Sequence, residues 1–452
     1  RTRRVNREAE YLIRETPAKA LFQFALPMMI GNLFQQLYTM VDSAIVGRYV
    51  GEQALAAVGA SYALTTVFIC VAIGGGIGAS VIVSRAFGAK EYARMKSALY
   101  TACLVFLGVA VLLAGFGLTF SRQIMTALNT PADALEIAVL YLNIYFYGLP
   151  FLFMYNIESS MFNALGKSRI PLYFLIFSSI FNVLLDWILV TQFAMGVAGV
   201  AWATFLAQGV SAVLSFLVLL HELKPFPADH VRLFDASELS EMVKIALPSI
   251  LQQSTVSIGM MLVQSVVNGF GSEALAGFSA AMRIESICCV PMSGIGNALS
   301  SYTAQNLGAN QPERVRAGLK SASGMVIFFA VSICLWLEIF HDGLMSLFLG
   351  TDGTATALST GNGYLTFMGW FFCLIGFKMA VDGVLRGAGD TKMFTVANLV
   401  NLSIRVIVAF ALSPVFGISM VWCAVPLGWF ANWAISYREY RTGKWKHTMR
   451  HA

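Results

Sequence analysis

Two carboxylates in this sequence lie where an unpaired charge is costly. Asp42 sits in an apolar stretch running from about Ala20 to Arg48, and Asp186 in one running from about 170 to 191. A carboxylate at the centre of a bilayer costs about 2.5 kcal/mol or more unless it finds a partner, water or an ion. On a helix, Gln35, Thr39, Asp42 and Val46 follow i, i+4, i+7, i+11 spacing and share a face. Ser178, Asn182 and Asp186 stack one turn apart on another, and Thr204, Gln208 and Ser211 on a third. None of these stretches carries a basic residue that could neutralise the acids, because Arg48 and Arg169 fall toward opposite ends. Asp, Asn and Thr oxygens suit a hard cation such as Na⁺. Two close carboxylates can instead share a proton.

A second set of charges lies in the later half. Arg283 and Glu285 share one apolar stretch, Lys378 and Asp382 lie four apart in another, and Arg405 is in a third. Arg386 continues the Lys378–Asp382 spacing by another four residues. Opposite charges at this spacing neutralise one another and hold helices together, so the expectation is a C-lobe charge network.

The segments that hold these residues are membrane spans. Of 452 residues, 57% are hydrophobic and 12% charged, with a mean hydropathy of +0.70. A soluble protein carries about 25% charged residues. Apolar segments centred near 33, 68, 108, 148, 181, 208, 256, 290, 328, 370, 402 and 426 predict twelve transmembrane helices. The expected fold is an all-α polytopic membrane protein. Of 30 lysines and arginines, 25 fall on the termini and alternate loops of one side. Arg48 and Arg122 fall on the other, and Arg283, Lys378 and Arg405 within spans. The positive-inside rule then puts both termini in the cytoplasm. The net charge of +6 reflects this topology, and no nucleic-acid partner is expected. The basic start, Arg1-Thr-Arg-Arg, has no small-residue cleavage site after it, so no removable signal peptide is expected. All seven cysteines fall in apolar spans without metal-ligand spacing, and no disulfide framework is expected.

The chain repeats. Phe24-Ala-Leu-Pro27 returns as Ile245-Ala-Leu-Pro248, and Gly51-Glu-Gln-Ala-Leu-Ala56 as Gly271-Ser-Glu-Ala-Leu-Ala276. Ala164-Leu-Gly166-Lys-Ser168 returns as Gly387-Ala-Gly389-Asp-Thr391. The pattern predicts an N-lobe over 1–220, a cytoplasmic linker over 221–241 and a C-lobe over 242–452. Six is an even number of spans, so the two bundles share an orientation and are related by a pseudo-twofold axis along the membrane normal. Under this scheme Asp42 maps near Val263 and Asp186 near Ala409, so the second copy lacks both acids. Pro27 removes a backbone donor inside the first span and predicts a kink there.

Several tempting motifs fail. Gly74-Gly75-Gly76-Ile77-Gly78 lies within an apolar helix with no Gly-Lys-Ser/Thr after it, so close helix packing is the expectation. Gly166-Lys167-Ser168 lacks the earlier glycine of a phosphate loop, since Met161 stands there. No His-Glu-x-x-His or Gly-x-Ser-x-Gly motif occurs, and no enzyme activity is expected. The aromatic fourth span (Tyr141, Tyr145, Phe146, Tyr147, Phe151, Phe153, Tyr155) predicts packing, with part of it free to line a cavity for flat molecules.

With the 6+6 repeat, the Ala-Leu-Pro opening of each half, Val41-Asp42-Ser-Ala-Ile-Val-Gly47 and Arg386-Gly-Ala-Gly-Asp-Thr-Lys392, the chain resembles the multidrug and toxic compound extrusion (MATE) family, in particular its bacterial DinF-type, YoeA-like branch. The resemblance implies an inner-membrane antiporter, expected as a monomer, that expels lipophilic or cationic small molecules in exchange for Na⁺ or H⁺, with no other cofactor. It implies a cation site of Asp42, Asn182, Asp186 and Thr204, a conformational hinge at Pro27, and cavity positions at Asn156 and Ser159. Gln35, Gln253 and Gln264 are further cavity candidates. The seventh span carries Gln253, Ser257 and Gln264 but no acid, unlike the NorM-type branch, so a C-lobe ion site of that kind is not expected. The alternative within the same architecture is a lipid-linked precursor flippase, which would use the cations Arg283, Lys378 and Arg405.

Overall fold

Proline and glycine set where the helices start, bend and touch, and the apolar runs set their length. The computed structural model describes residues 8–127, 132–349 and 354–448, and no strand occurs among them. Arg1, Arg3, Arg4, Arg7 and Arg450 of the basic set lie outside the described residues. Twelve long helical segments follow: α1 (Pro17–Ile45), α2 (Glu52–Gly88), α3 (Tyr92–Ala127), α4 (Leu135–Ala164), α5 (Arg169–Trp187) and α6 (Val197–Leu223). After them come α7 (Ala236–Asn268), α8 (Ser272–Cys288 and Val290–Gly308, bent by 42°) and α9 (Pro312–Leu349). The last three are α10 (Ala355–Met368 and Phe372–Ala388), α11 (Lys392–Phe416) and α12 (Ser419–Thr442). Among the described residues nine helices are long and apolar enough to cross a bilayer, ten with the bent α8. The other two, α1 and α12, are diluted by polar side chains such as Asn32, Gln35 and Gln36, or Asn432, Arg438 and Glu439. The molecule is a multi-pass membrane protein.

Packing divides the chain into two compact units, which do not follow a simple cut at the linker. The first holds Arg1–Tyr11 and Ile30–Ile250, the second Leu12–Met29 and Leu251–Ala452. The leading part of α1 therefore packs within the second unit, and that of α7 within the first. Each changeover falls two residues beyond a proline, Pro27 or Pro248. Both helices nevertheless run on through their prolines. The helix continues through Pro27, and what the proline leaves is a helix short of one hydrogen bond at the changeover.

In the first unit, α4 is the central helix. It packs against α2, α3 and α6 around a core of Phe68, Ala110, Leu142, Phe146, Leu149 and Phe153. The glycine run of α2 does what close packing requires. A Cβ on Gly74 or Gly78 would stand 2.6 or 2.4 Å from the α7 backbone at Ile250 or Ala246. The linker is not a loose tether. Phe226 is fully buried against Phe87 and Tyr92, and the Arg232 and Asp235 amides donate to Ser97 and Thr101 of α3. Arg94 closes the same face with a 2.6 Å ion pair to Glu238.

In the second unit, α10 approaches α8 so closely that a Cβ on Gly383 or Gly387 would lie 2.3 Å from the carbonyl oxygen of Gly296 or Ser300. This approach carries Lys378, Asp382 and Arg386 into the interior. Gly389 ends α10 at φ +81°, a conformation glycine takes without strain.

Candidate functional site

Both acids of the first unit stand where an α-helix changes its winding. Asp42 lies three residues before the end of α1, which continues as a π-helical turn over Val46–Val50. Asp186 lies one residue before the end of α5, which continues as a π turn over Ile188–Gln192. Wide turns of this kind often mark functional positions. The two turns pack together through Val46, Val50, Val190 and Val200, and so hold the acid-bearing helix ends side by side.

The Asp42 and Asp186 carboxyl groups face each other within hydrogen-bonding reach. Asp186 is fully buried and Asp42 half-buried. Neither Asp186 oxygen has a donor, nor does Asp42 Oδ1. Among the described residues no lysine or arginine forms an ion pair with either acid. Asn182, one turn before Asp186, donates through Nδ2 to the Tyr38 hydroxyl and, at 3.4 Å, to Thr204 Oγ1. Its Oδ1 is buried and unpaired. The Thr204 hydroxyl is 3.2 Å from the Val200 carbonyl of its own helix, α6. The structure thus brings Asp42, Asn182, Asp186 and Thr204 together. The unpaired oxygens of Asp42, Asn182 and Asp186, with the Thr204 hydroxyl beside them, form a cluster that favours positive charge, either a shared proton or a small hard cation.

Tyr38 and Tyr141 complete the site; Tyr141 belongs to the aromatic span expected to line a cavity in part, whereas sequence reasoning passed over Tyr38. Tyr38 is one turn before Asp42, next to Asp42, Asp186 and Tyr141. The signal for it was i, i+4 spacing from the acid, which was read instead through Thr39. Thr39 turns outward and bonds the Gln35 carbonyl of its own helix, and Gln35 is exposed as well. The expected face was therefore rotated by one residue. Beside Thr204, α4 and α6 line a small, open-mouthed cavity of about 50 Å³. Tyr141, Tyr145, Phe205, Thr204 and Gln208 contribute to its wall. Asn156 and Ser159 are half-buried, and they donate to the Leu152 and Tyr155 carbonyls of their own helix. Gln264 is exposed and Gln253 half-buried. Its neighbour Gln252 is the buried one, and its Oε1 accepts from Arg386 at 3.1 Å.

The second unit's charges are mostly neutralised within it. Lys378 Nζ lies 3.9 Å from Asp382 Oδ2, and Ser436 donates to Asp382 Oδ1 at 2.6 Å. Glu285 accepts a hydrogen bond from Tyr364 and lies in the field of Arg405. Arg386 spreads its donors over Ser300, Gln252 and Asn297. Arg283 does not belong to this network. It is exposed, whereas Met282, Ile284 and Glu285 are buried. Two residues are about 200° apart on a helix, so Arg283 and Glu285 point in different directions. The positions corresponding to the two acids, Val263 and Ala409, are buried and apolar.

Comparison with known proteins agrees with this architecture. The MatE family model matches twice, over residues 27–188 and 248–411, one copy per repeat. The chain is 29% identical to the "Probable multidrug resistance protein YpnP" of Bacillus subtilis (strain 168), over 95% of this chain and 96% of that protein. It is 26% identical to the "Multidrug export protein MepA" of Staphylococcus aureus, over 92% of each. The solved structure described as "Crystal structure of MATE in complex with MaL6" superimposes with a TM-score of 0.90 at 22% identity, over 97% of this chain and 99% of that one. The doubled helical repeat, with Asp42 and Asp186 in the first copy and no acid at the matching positions of the second, therefore belongs to a chain of the MatE family.

Proposed function

We propose that this chain is a secondary active antiporter that expels small lipophilic cations across a bacterial plasma membrane in exchange for H⁺ or Na⁺. The relatives' names support multidrug export. The observation that carries the coupling is the Asp42–Asp186 pair, buried together with no basic partner among the described residues. In this reading an ion from outside fills the oxygens of Asp42, Asp186, Asn182 and Thr204. Filling changes the packing of the last turns of α1, which carry Tyr38 and Asp42. The drug-binding state then loses affinity, and the drug leaves. Exchange needs only that the ion and the drug prefer different states, since a ligand shifts an equilibrium by its differential affinity. The excess of basic residues on one set of loops supports placing both termini in the cytoplasm. The partners are the lipid bilayer and the transported molecule, and the working unit is a monomer.

The test is reconstitution in liposomes with an imposed H⁺ or Na⁺ gradient and a fluorescent lipophilic cation as cargo. Gradient-driven flux in the wild-type protein should fall at least about tenfold in Asp42→Asn and in Asp186→Asn, which corresponds to about 1.4 kcal/mol or more. Undiminished gradient-driven flux in either variant would reject the assignment.

A further inference from the structure

A third acid of the first unit has no part in the site above. Glu158 lies on α4 six residues before the helix ends at Ala164, at the end of the bundle that carries Arg85, Lys167 and Arg169. Asp42 and Asp186 lie at the opposite end. Glu158 is 1% exposed, and its Oε2 is buried without a partner. It faces the Ser215 hydroxyl of α6. The ionisable groups beside it are Cys103 of α3 and Tyr155 on its own helix. Among the described residues, α2, α5 and α6 bring no charged group to it.

A polar track joins the two ends. Helices α4 and α6 run side by side in the same direction, because Gly148 meets Phe205, Phe151 meets Gly209, and Glu158 meets Ser215. Along α6, Thr204, Gln208, Ser211 and Ser215 are spaced four, three and four apart and fall on one face. At 1.5 Å per residue they cover about 16 Å. Thr204 contacts Asn182 of the upper site. Gln208 lines the cavity with Tyr141 and Tyr145, and the Tyr145 hydroxyl is buried and unpaired. Ser211 is fully buried with an unpaired hydroxyl. Buried polar atoms without partners are rare enough in native proteins to need a reason. Here they line up at successive levels between two acid sites.

We propose that Glu158 is the inner proton acceptor of the transport cycle, and that the α4–α6 track delivers to it the proton released by Asp42 and Asp186. This rests on the antiport reading and commits it to H⁺, since a hydroxyl chain passes protons and not Na⁺. The step is balanced. The proton leaves the Asp42–Asp186 carboxyl pair, passes through cavity water and the Ser211 and Ser215 hydroxyls, and is bound by the Glu158 carboxylate. Glu158 then gives it to water at the basic end of the bundle, and both ends are ready for the next turn.

The test compares Glu158→Gln, Glu158→Asp and Ser211→Ala in liposomes with two readouts. One is drug efflux driven by a pH gradient, with proton movement followed by a trapped pH dye. The other is drug–drug counterflow without any gradient, which needs the carrier to fold and cycle but needs no proton release. The expectation for Glu158→Gln is at least a tenfold loss of proton-driven efflux and of drug-linked proton movement, with counterflow within twofold of wild type. Glu158→Asp retains both, and Ser211→Ala slows only the proton-driven readout, by several-fold. Wild-type proton-driven efflux in Glu158→Gln overturns the proposal and leaves the antiport reading standing. Equal loss of both readouts in Glu158→Gln, with Ser211→Ala unaffected, makes Glu158 a structural residue and also overturns it. A wild-type protein driven by Na⁺ alone removes the proton track while keeping the Asp42–Asp186 site.

Discussion

Replacing Asp186 by asparagine tests the electrostatic argument without any transport measurement. The Asp186 oxygens and Asp42 Oδ1 have no protein donor and face one another. An asparagine of the same shape brings an amide that can donate to Asp42, and a hydrogen bond to a charged group is worth about 1.5–3 kcal/mol. In Na⁺-free buffer alkaline enough to ionise both acids, Asp186→Asn should therefore be more stable than the wild type by about 2 kcal/mol. For a cooperative unit the size of one lobe this is roughly 4–8 °C in melting temperature. Loading reverses the order. An ion at a hundred times its dissociation constant stabilises the wild-type protein by about 2.7 kcal/mol, while the variant has lost half of the charge that binds it. The assay is thermal unfolding in detergent, followed by tryptophan fluorescence, across a series of pH and Na⁺ concentrations. The wild-type midpoint should climb with acid, with Na⁺ or with both, and the Asp186→Asn midpoint should start higher and stay nearly flat. A wild-type midpoint indifferent to both ions would refute the reasoning, because two facing acids cannot be insensitive to the charge that separates them.

Two further outcomes follow from the second unit. Asp390, in the turn after α10, has its carboxyl pushed up to about 7, mainly by burial and then by the adjacent Glu439, with Lys444 opposing. A raised acid favours the protonated folded state, so its contribution is complete below the ordinary carboxylate range and is lost as pH rises through about 7. Melting in detergent should show that decline in the wild-type protein and not in Asp390→Asn. Gln252→Ala removes an acceptor from the buried Arg386 and should cost about 1–3 kcal/mol in the same assay, whereas Gln253→Ala, half-buried and one residue along, should stay within about 0.5 kcal/mol.

The parts of the molecule legible in the sequence are those where composition alone decides. Apolar length places the helices, the recurring Ala-Leu-Pro and Gly-x-x-Ala-Leu-Ala motifs mark the repeat, and the absence of bases beside Asp42 and Asp186 is visible along the chain. Rotation about a helix axis is harder to read, because an error of one residue is an error of 100°. That is why Thr39 and Gln253 were chosen where Tyr38 and Gln252 point inward, and why Arg283 was grouped with Glu285. The π turns after both acids leave no signature of their winding, since Val46–Val50 reads as the end of a span at Arg48 and Ile188–Gln192 as a continuing helix. The changeover of α1 and α7 between units was also hidden, because it depends on which bundle a helix half packs against rather than on what it is made of. Only the prolines, two residues before each changeover, marked the place.

The two repeats share a backbone plan and treat charge in opposite ways, and this asymmetry has a physical rationale. A carrier with self-neutralised charges in both halves would have no residue whose occupancy by an external ion changes its stability. A carrier with bare acids in both halves would hold two buried clusters, each costly when empty. In this chain Val263 and Ala409 fill the acid positions of the second copy with buried apolar side chains. Within that copy's spans Asp382 is answered by Lys378 and Ser436 and Glu285 by Tyr364, while Asp390 lies against Glu439 in the turn after α10. The first unit holds Asp42 and Asp186 unanswered, with Glu158 buried at its other end. On the antiport reading proposed above, ion-dependent movement is centred on the first bundle, where filling or emptying the Asp42–Asp186 site alters the packing of the helix that carries it.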